Sequence, residues 1–266
     1  MIDEATQATE PSTLVPIVRG ARQIVLVGDH RQLSPTVISR RASEGGLSRT
    51  LFERIMDMGV TPHLLTKQYR MHPAISEFPN QQFYSGRLED GVCESERRAP
   101  AGILWPDWER PVAFLPVEGG EATGPDGASK ENRVEASWVA KIVGDLIDAG
   151  EVEGDGIGII TPYAAQVRAI RDILPETLLN IEVKTVDGYQ GREKEVIIFS
   201  CVRSNSEGRI GFLSDPRRLN VALTRAKRGL IVIGDPSTLR EDENWSAWLE
   251  HARKHNLEAW HIIGMV

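Results

Sequence analysis

Ile157-Gly158-Ile159-Ile160-Thr161 is an unbroken apolar run, and the residues after it, Ala164 to Leu174, set Val167, Ile170 and Leu174 at helical steps. A short run without alternation reads as a strand buried on both faces, and the three- and four-residue steps read as one apolar helix face. The pair is therefore half of a strand–helix–strand unit. Runs of the first kind recur at Gln23–Gly28, His63–Thr66, Val112–Val117, Ile181–Thr185, Val196–Cys201 and Leu230–Gly234. A second long helix is expected over Glu131 to Ala149, with Val134, Trp138, Ile142 and Leu146 on its apolar side. Strands alternating with helices predict an α/β fold, an open parallel sheet with flanking helices and right-handed crossovers.

The chain has 266 residues, 41% of them hydrophobic and 26% charged. That suffices for one large domain, or one domain and part of another. A net charge of −7 excludes polyanion binding by the surface as a whole but leaves room for a local basic groove. Cys93 and Cys201 have no metal-like spacing and read as free thiols in a reducing, intracellular compartment. No apolar run nears the roughly 20 residues of a membrane span, and residues 1–4 have no signal-peptide character. Glu118–Ser129 and Gly86–Trp108 are polar and irregular, and are expected as an exposed loop and a surface excursion. A boundary near Gly59–Pro62 divides residues 1–60 from residues 61–266.

Polar clusters stand where the apolar runs end. Asp3-Glu4 follows the stub Met1-Ile2; Gly28-Asp29-His30-Arg31-Gln32-Leu33 ends the run at Gln23. Gln68-Tyr69-Arg70-Met71-His72-Pro73 leads into a helix over Ala74–Tyr84, for which Pro73 suits the first position. Thr185-Val186-Asp187-Gly188-Tyr189-Gln190-Gly191-Arg192-Glu193 follows another run. Asp215 to Arg228 reads as a basic helix capped by Asp215, with Leu219, Ala222 and Ala226 apolar and Arg218 and Arg225 two turns apart on one face. Each cluster alone also has a plain structural reading, as a turn, a cap or a solvated face. His251 and His255, one helical turn apart, likewise read as part of a solvated terminal helix rather than as metal ligands. No Gly-x-Gly-x-x-Gly follows any strand, against a Rossmann dehydrogenase, and no Gly-Lys pair occurs, so there is no Walker A loop.

Taken in order, Asp-Glu-Ala, Gly-Asp-x-x-Gln-Leu, Gln-Tyr-Arg-Met-His-Pro, Thr-Val-Asp-x-Tyr-Gln-Gly-x-Glu and Leu-Asn-Val-Ala-Leu-Thr-Arg-Ala resemble the later motifs of superfamily-one helicases of the Upf-like and senataxin-like group. Ile198–Asn205 and Gly211-Phe212-Leu213 extend the likeness, which runs from Asp3 to about Leu249. The resemblance implies two RecA-like domains: residues 1–60 as the tail of the first and 61–266 as the second. It implies ATP and Mg²⁺ between them and single-stranded RNA or DNA across both. By the same resemblance Asp3 would hold Mg²⁺, Glu4 would be the catalytic acid, Gln32 the γ-phosphate sensor, and Arg70 and Arg225 the arginine fingers. Tyr69 would stack on adenine, while Gln190, Gly191 and Glu193 would serve the ribose. Thr161, Pro162, Tyr163 and Thr185 would face the nucleic-acid backbone.

The first domain's phosphate-cradling part is then expected outside this chain, and its exposed apolar edge inside it. The chain alone is expected neither to bind ATP tightly nor to unwind a duplex. The alternative is a non-catalytic nucleic-acid or partner-binding module derived from a helicase.

Overall fold

A computed structural model describes residues 1–178 and 180–259. They fall into two units, Met1–Leu65 and a second that starts at Thr66.

The first unit holds helices α1 (Glu10–Ile17), α2 (Arg40–Glu44) and α3 (Leu51–Asp57). Thr50 and Glu53 start α3 with a reciprocal capping box, and Glu10 clasps Arg54 through both carboxylate oxygens. The run at Gln23 departs from the buried strand expected of it. It pairs in parallel with Ile2 alone, while Ile24, Val25 and Val27 are exposed. With one neighbour among the described residues it has only one covered edge, and its side chains meet solvent.

The second unit opens with β1 (Lys67–Gln68), α4 (Pro73–Tyr84) and β2 (Glu89–Asp90). It continues with β3 (Val112–Pro116), β4 (Glu121–Thr123), β5 (Lys130–Asn132), α5 (Arg133–Asp148), β6 (Ile157–Thr161), α6 (Ala164–Ile173), β7 (Glu182–Thr185) and β8 (Lys194–Ser200). α7 (Pro216–Leu223), β9 (Ala226–Gly234), α8 (Pro236–Leu239) and α9 (Glu243–Lys254) complete it. β3, β9, β8, β6 and β7 form one five-stranded sheet in that order, parallel throughout. The α/β class and open parallel sheet expected from the apolar runs are what the structure has.

Alternation along the strands fills both faces. Val196 and Ile198 of β8 pack with Val139, Ile142, Val143 and Leu146 of α5 and Ala169 and Ile170 of α6. Phe199 points the other way and lies 5.9 Å from the Trp245 ring of α9. Each such buried aliphatic or aromatic side chain contributes about 1.5–3 kcal/mol, so both helix layers are needed to hold the sheet.

Several expectations are corrected. His63–Thr66 is not a strand: the Thr66 carbonyl accepts from the Glu89 amide at 2.8 Å, but among the described residues strand pairing begins only at Lys67–Gln68, with Glu89–Asp90. Val134 is exposed, because α5 turns Ala136, Val139 and Val143 inward instead. Gly86–Trp108 is not wholly a surface excursion: Ile103 and Trp105 are in the core, and the Trp105 indole donates to the Pro100 carbonyl at 2.8 Å. Within Glu118–Ser129, β4 pairs antiparallel with β5. α9 is not a solvated helix either, since Trp245, Trp248, Leu249 and Ala252 are buried. Among the described residues no helix is long and apolar enough to cross a membrane.

Candidate nucleotide and nucleic-acid sites

Three of the polar clusters meet at the amino ends of β8 and β9. The segment before α4 is shaped by Gln68, whose Oε1 accepts from the Arg70 and Met71 amides and whose Nε2 donates to Asp90. His72 caps α4, its Nδ1 accepting from the Ala74 amide at 3.0 Å, and burial pushes its imidazole below the ordinary range. It is thus an orienting residue. Between these two fixed points Arg70 reaches across to Glu193, Nε to Oε2 at 2.6 Å, and to the Thr224 carbonyl at 3.0 Å. The other Glu193 oxygen pairs with Lys227 at 3.1 Å. Partial burial pushes the Glu193 carboxyl up, but the Arg70 and Lys227 hydrogen bonds outweigh it and hold the group below the usual carboxylate range. Tyr69 stands beside Arg70 with 62% of its surface open. Gly91 lies under its ring, where a methyl group would collide. Gly191 takes a left-handed φ of 74°, and Gln190 lies in the same turn, half-buried.

Arg225 is placed differently from what the basic helix suggested. α7 stops at Leu223, and β9 starts at Ala226, so Arg218 and Arg225 do not share a helix face. Thr224 ends the helix by turning its hydroxyl back to the Asn220 carbonyl at 2.7 Å. Arg225 is 2% exposed, donating to the Val221 carbonyl, the Arg192 carbonyl and the Thr224 hydroxyl. Its fork thus ties α7 to the turn before β8. In this arrangement Arg70 presents part of its surface to solvent and Arg225 does not.

The remaining candidates gather at the opposite end of the sheet. Thr161 and Thr185, the last residues of β6 and β7, face each other in register. Thr161 and Pro162 are buried, and the Thr161 hydroxyl has no hydrogen-bond partner among the described residues. Tyr163 is buried too; its hydroxyl accepts from Arg203, which is itself paired with Glu121 at 3.0 Å. Thr185 is half-buried, its hydroxyl accepting from the Gly188 amide. Exposed Phe212 lies 5.5 Å from the Tyr163 ring, with the Arg218 guanidinium over the Phe212 ring at 5.3 Å. Residues 186–193 run from this end back to the other. Thr185 lies opposite Thr161, and Val196 opposite Ile157, so between these two pairs the return spans four residue levels, roughly 13 Å at about 3.3 Å per residue.

In the first unit, the pairing of Ile2 with the run at Gln23 brings Asp3-Glu4 and Gly28-Asp29 to the same strand ends. Thr6 donates to the Asp29 carbonyl at 3.2 Å, and a Cβ on Gly28 would strike Thr6. Gln32 is turned back on Asp29, donating to its carboxylate at 3.0 Å. Asp3 and Glu4 are exposed; Asp3 accepts from the Glu4 amide, and Glu4 from Gln7. Glu4 has a left-handed φ of 49°, unusual for a non-glycine residue and a mark of a constrained turn. An exposed carboxylate pair suits Mg²⁺, a hard ion that takes one or two carboxylates and completes its shell with water and phosphate oxygens.

Residues 47–237 match a family described as an AAA domain, and residues 1–40 match a second family of that description. The chain belongs to this AAA-domain family. A relative from Drosophila melanogaster, the regulator of nonsense transcripts 1 homolog, is 47% identical over 253 residues, which are 92% of this chain and 21% of the relative. ATP-dependent helicase upf1 of Schizosaccharomyces pombe is 44% identical over 266 residues, 96% of this chain and 28% of the relative. The motif resemblance to the Upf-like helicases therefore holds, and the chain spans 21% and 28% of the length of these two curated relatives. A solved helicase from PRRSV aligns with 88% of this chain and 34% of its own at 16% identity and a TM-score of 0.47.

Some residues of this AAA domain's clusters went unread in the sequence. Arg97 donates to the carbonyls of both Arg70 and Tyr69, fixing the backbone that carries them. In the sequence it is one of a basic pair, Arg97-Arg98, inside the irregular stretch Gly86–Trp108. Glu135 is fully buried under the carboxyl end of β8, accepting from the Ser200 hydroxyl at 2.6 Å and the Val202 amide at 2.9 Å. Burial pushes its carboxyl up to about 8. A glutamate in the first turn of a helix looks like any dipole-complementing acid, so nothing in the sequence marked it.

Proposed function

We propose that this chain carries the second RecA-like domain, residues 61–266, and the tail of a first, residues 1–60, of an ATP-dependent RNA or DNA helicase or translocase. The observation that carries the reading is the meeting of Tyr69-Arg70, Gln190–Glu193 and Thr224-Arg225 at one end of the sheet, while Thr161 and Thr185 stand at the other. Arg70 would neutralise charge developing on the γ-phosphate; arginine fingers account for about 10³–10⁵ in rate. Arg225 would join it after turning its fork away from the Val221 and Arg192 carbonyls. Tyr69 would stack on the base, and Gln190, Gly191 and Glu193 would contact the ribose. Asp3 would hold Mg²⁺, which screens the phosphates, with Glu4 deprotonating the attacking water and Gln32 orienting it. Thr161, Pro162, Tyr163 and Thr185 would line the path of a single strand, whose backbone any-sequence movement requires. The buried side chains of Thr161 and Tyr163 favour backbone groups and Phe212 as the surface actually touched. Cys93 and Cys201 as free thiols suit the cytoplasm or nucleus.

Without a Gly-Lys pair the chain has no loop to cradle phosphates, so the active unit requires a preceding RecA-like domain of the parent protein. The same absence favours the second reading, a non-catalytic binding module. The parent protein, assayed for ATP hydrolysis with single-stranded RNA and with single-stranded DNA, separates the two. Stimulated turnover that falls by about 10³-fold or more in Arg70→Ala supports the motor. A reading frame without Gly-x-x-x-x-Gly-Lys-Ser/Thr upstream, or turnover indifferent to Arg70, supports the module. The isolated chain is expected to show no turnover; hydrolysis by it that vanishes in Arg225→Ala would overturn the division of labour.

A further inference from the structure

We propose that Glu77, His251 and His255 form a site for one divalent transition-metal ion of the zinc class, at the junction of α4 and α9. His251 and His255 are one helical turn apart, and their ring centroids stand 4.6 Å apart. Glu77, on α4, directs Oε1 at the His255 Nε2 from 3.4 Å. One donor atom from each of the three lies within 4.8 Å of the others. Donors about 2.0–2.1 Å from a tetrahedral ion stand about 3.4 Å from one another, so small ring rotations close the set.

The second observation is independent of the spacing. The Nε2 atoms of both histidines are buried and have no hydrogen bond among the described residues. A buried nitrogen without a hydrogen bond costs about 1–3 kcal/mol; a metal ion would satisfy His251 and replace the long 3.4 Å approach of Glu77 to His255. Packing accounts for the ring planes but not for these nitrogens: His251 lies 5.4 Å from Phe78 and 5.9 Å from Trp248. Arg110 pairs with the other Glu77 oxygen, Oε2. That leaves Oε1 for the ion and holds the carboxylate in place, as outer partners of metal-ligating carboxylates do.

The chemistry of the set selects the ion. Two imidazoles and one carboxylate suit Zn²⁺ and Co²⁺, whereas Mg²⁺ prefers an oxygen shell. The positive charge of Arg110 works against any weakly held cation. Three protein ligands leave a fourth position for water. The ion would pin α9 to α4, the helix that starts at Pro73, three residues after Arg70, and so acts on the footing of Tyr69 and Arg70 rather than on the reaction.

Co²⁺ titration of the purified, metal-stripped chain tests this. The expected result is one equivalent bound with visible d–d bands and no thiolate charge-transfer band, displaced by Zn²⁺ and untouched by excess Mg²⁺. Glu77→Gln and His251→Asn, checked for folding by circular dichroism, are expected to weaken binding by about tenfold or more. Zn²⁺ is expected to raise the wild-type melting midpoint and not theirs. No Co²⁺ band in the wild type, a thiolate band that disappears in Cys93→Ser, or unchanged affinity in folded Glu77→Gln and His251→Asn would each overturn the site.

Discussion

Arg70 and Glu193, 123 positions apart in the chain, meet at 2.6 Å, Nε to Oε2. The contact fixes one edge of the guanidinium, and Thr224 takes Nη1 through its carbonyl. Nη2 has no hydrogen bond among the described residues, so the fork keeps donor capacity for a phosphate oxygen. Glu193 in turn is shared with Lys227, which links the turn before β8 to the start of β9.

Removing either partner should therefore have unequal effects. In the parent protein Arg70→Ala is expected to lower kcat by about 10³-fold or more, the loss typical of an arginine finger. Glu193→Gln keeps one acceptor but loosens the fork, and a misplaced catalytic group costs about 10²-fold. Both variants should unfold near the wild-type urea midpoint, because exposed pairs contribute about 0–1 kcal/mol. Steady-state ATPase kinetics beside urea melts checks this; equal kcat for Arg70→Ala and wild type would remove Arg70 from the reaction.

Arg225 calls for the opposite pattern. Its guanidinium is buried on the Val221 and Arg192 carbonyls, so Arg225→Ala strips their partner and the packing of the stem. We expect a loss of about 1–3 kcal/mol in urea unfolding of the chain. Arg225→Lys should recover little of it, since one ammonium does not reproduce a planar fork. A wild-type urea midpoint for Arg225→Ala would mean that the fork is not structural.

Glu135 sets a pH dependence. Its carboxyl, pushed up to about 8 by burial from an ordinary 4.5, keeps its proton in the folded chain after the unfolded chain has released it. The folded state is then favoured most below about pH 4.5, and this contribution falls as pH rises toward 8. The slope is bounded by about 1.4 kcal/mol per pH unit. Glu135→Gln, which can accept from Val202 and donate to the Ser200 hydroxyl, should flatten the decline and be the more stable protein at pH 8. Urea melts at pH 5 and pH 8 decide: an identical difference in both proteins would show that Glu135 is ionised throughout.

The sheet was legible because parallel strands buried on both faces leave unbroken apolar runs: Val112–Val117, Ile157–Thr161 and Val196–Cys201 lie within a residue or two of β3, β6 and β8. Elements fixed by a partner far along the chain were not. Lys227 and Arg228 hide the start of β9, which pairs Ala226 with Lys194. His63–Thr66 has a strand's composition, yet among the described residues its backbone meets a strand only where the Thr66 carbonyl accepts from Glu89. The polar clusters were legible as motifs, yet the direction of each fork was not: Arg70 and Arg225 both follow a polar or hydroxyl residue, and it is the Val221 and Arg192 carbonyls, with the Thr224 hydroxyl, that hold Arg225 inward.

The crossing at residues 186–193 offers a test of how tightly the two ends of the sheet are joined. Tyr189 is buried there over Gly158 of β6, where a Cβ would overlap its hydroxyl and press within 2.8 Å of Ile197 and Lys194. That hydroxyl has no hydrogen-bond partner among the described residues, and burial pushes its pKa up. Tyr189→Phe removes an unsatisfied buried group and should stabilise the chain by about 1 kcal/mol. Gly158→Ala overpacks the same spot and should cost about 1–3 kcal/mol. In the double variant the worst overlap is gone, so the two effects should not add, with a coupling of about 0.5–3 kcal/mol in the double-mutant cycle. Urea unfolding of the four proteins measures it. A destabilised Tyr189→Phe would mean that the hydroxyl has a partner, and strict additivity that the ring does not rest on Gly158.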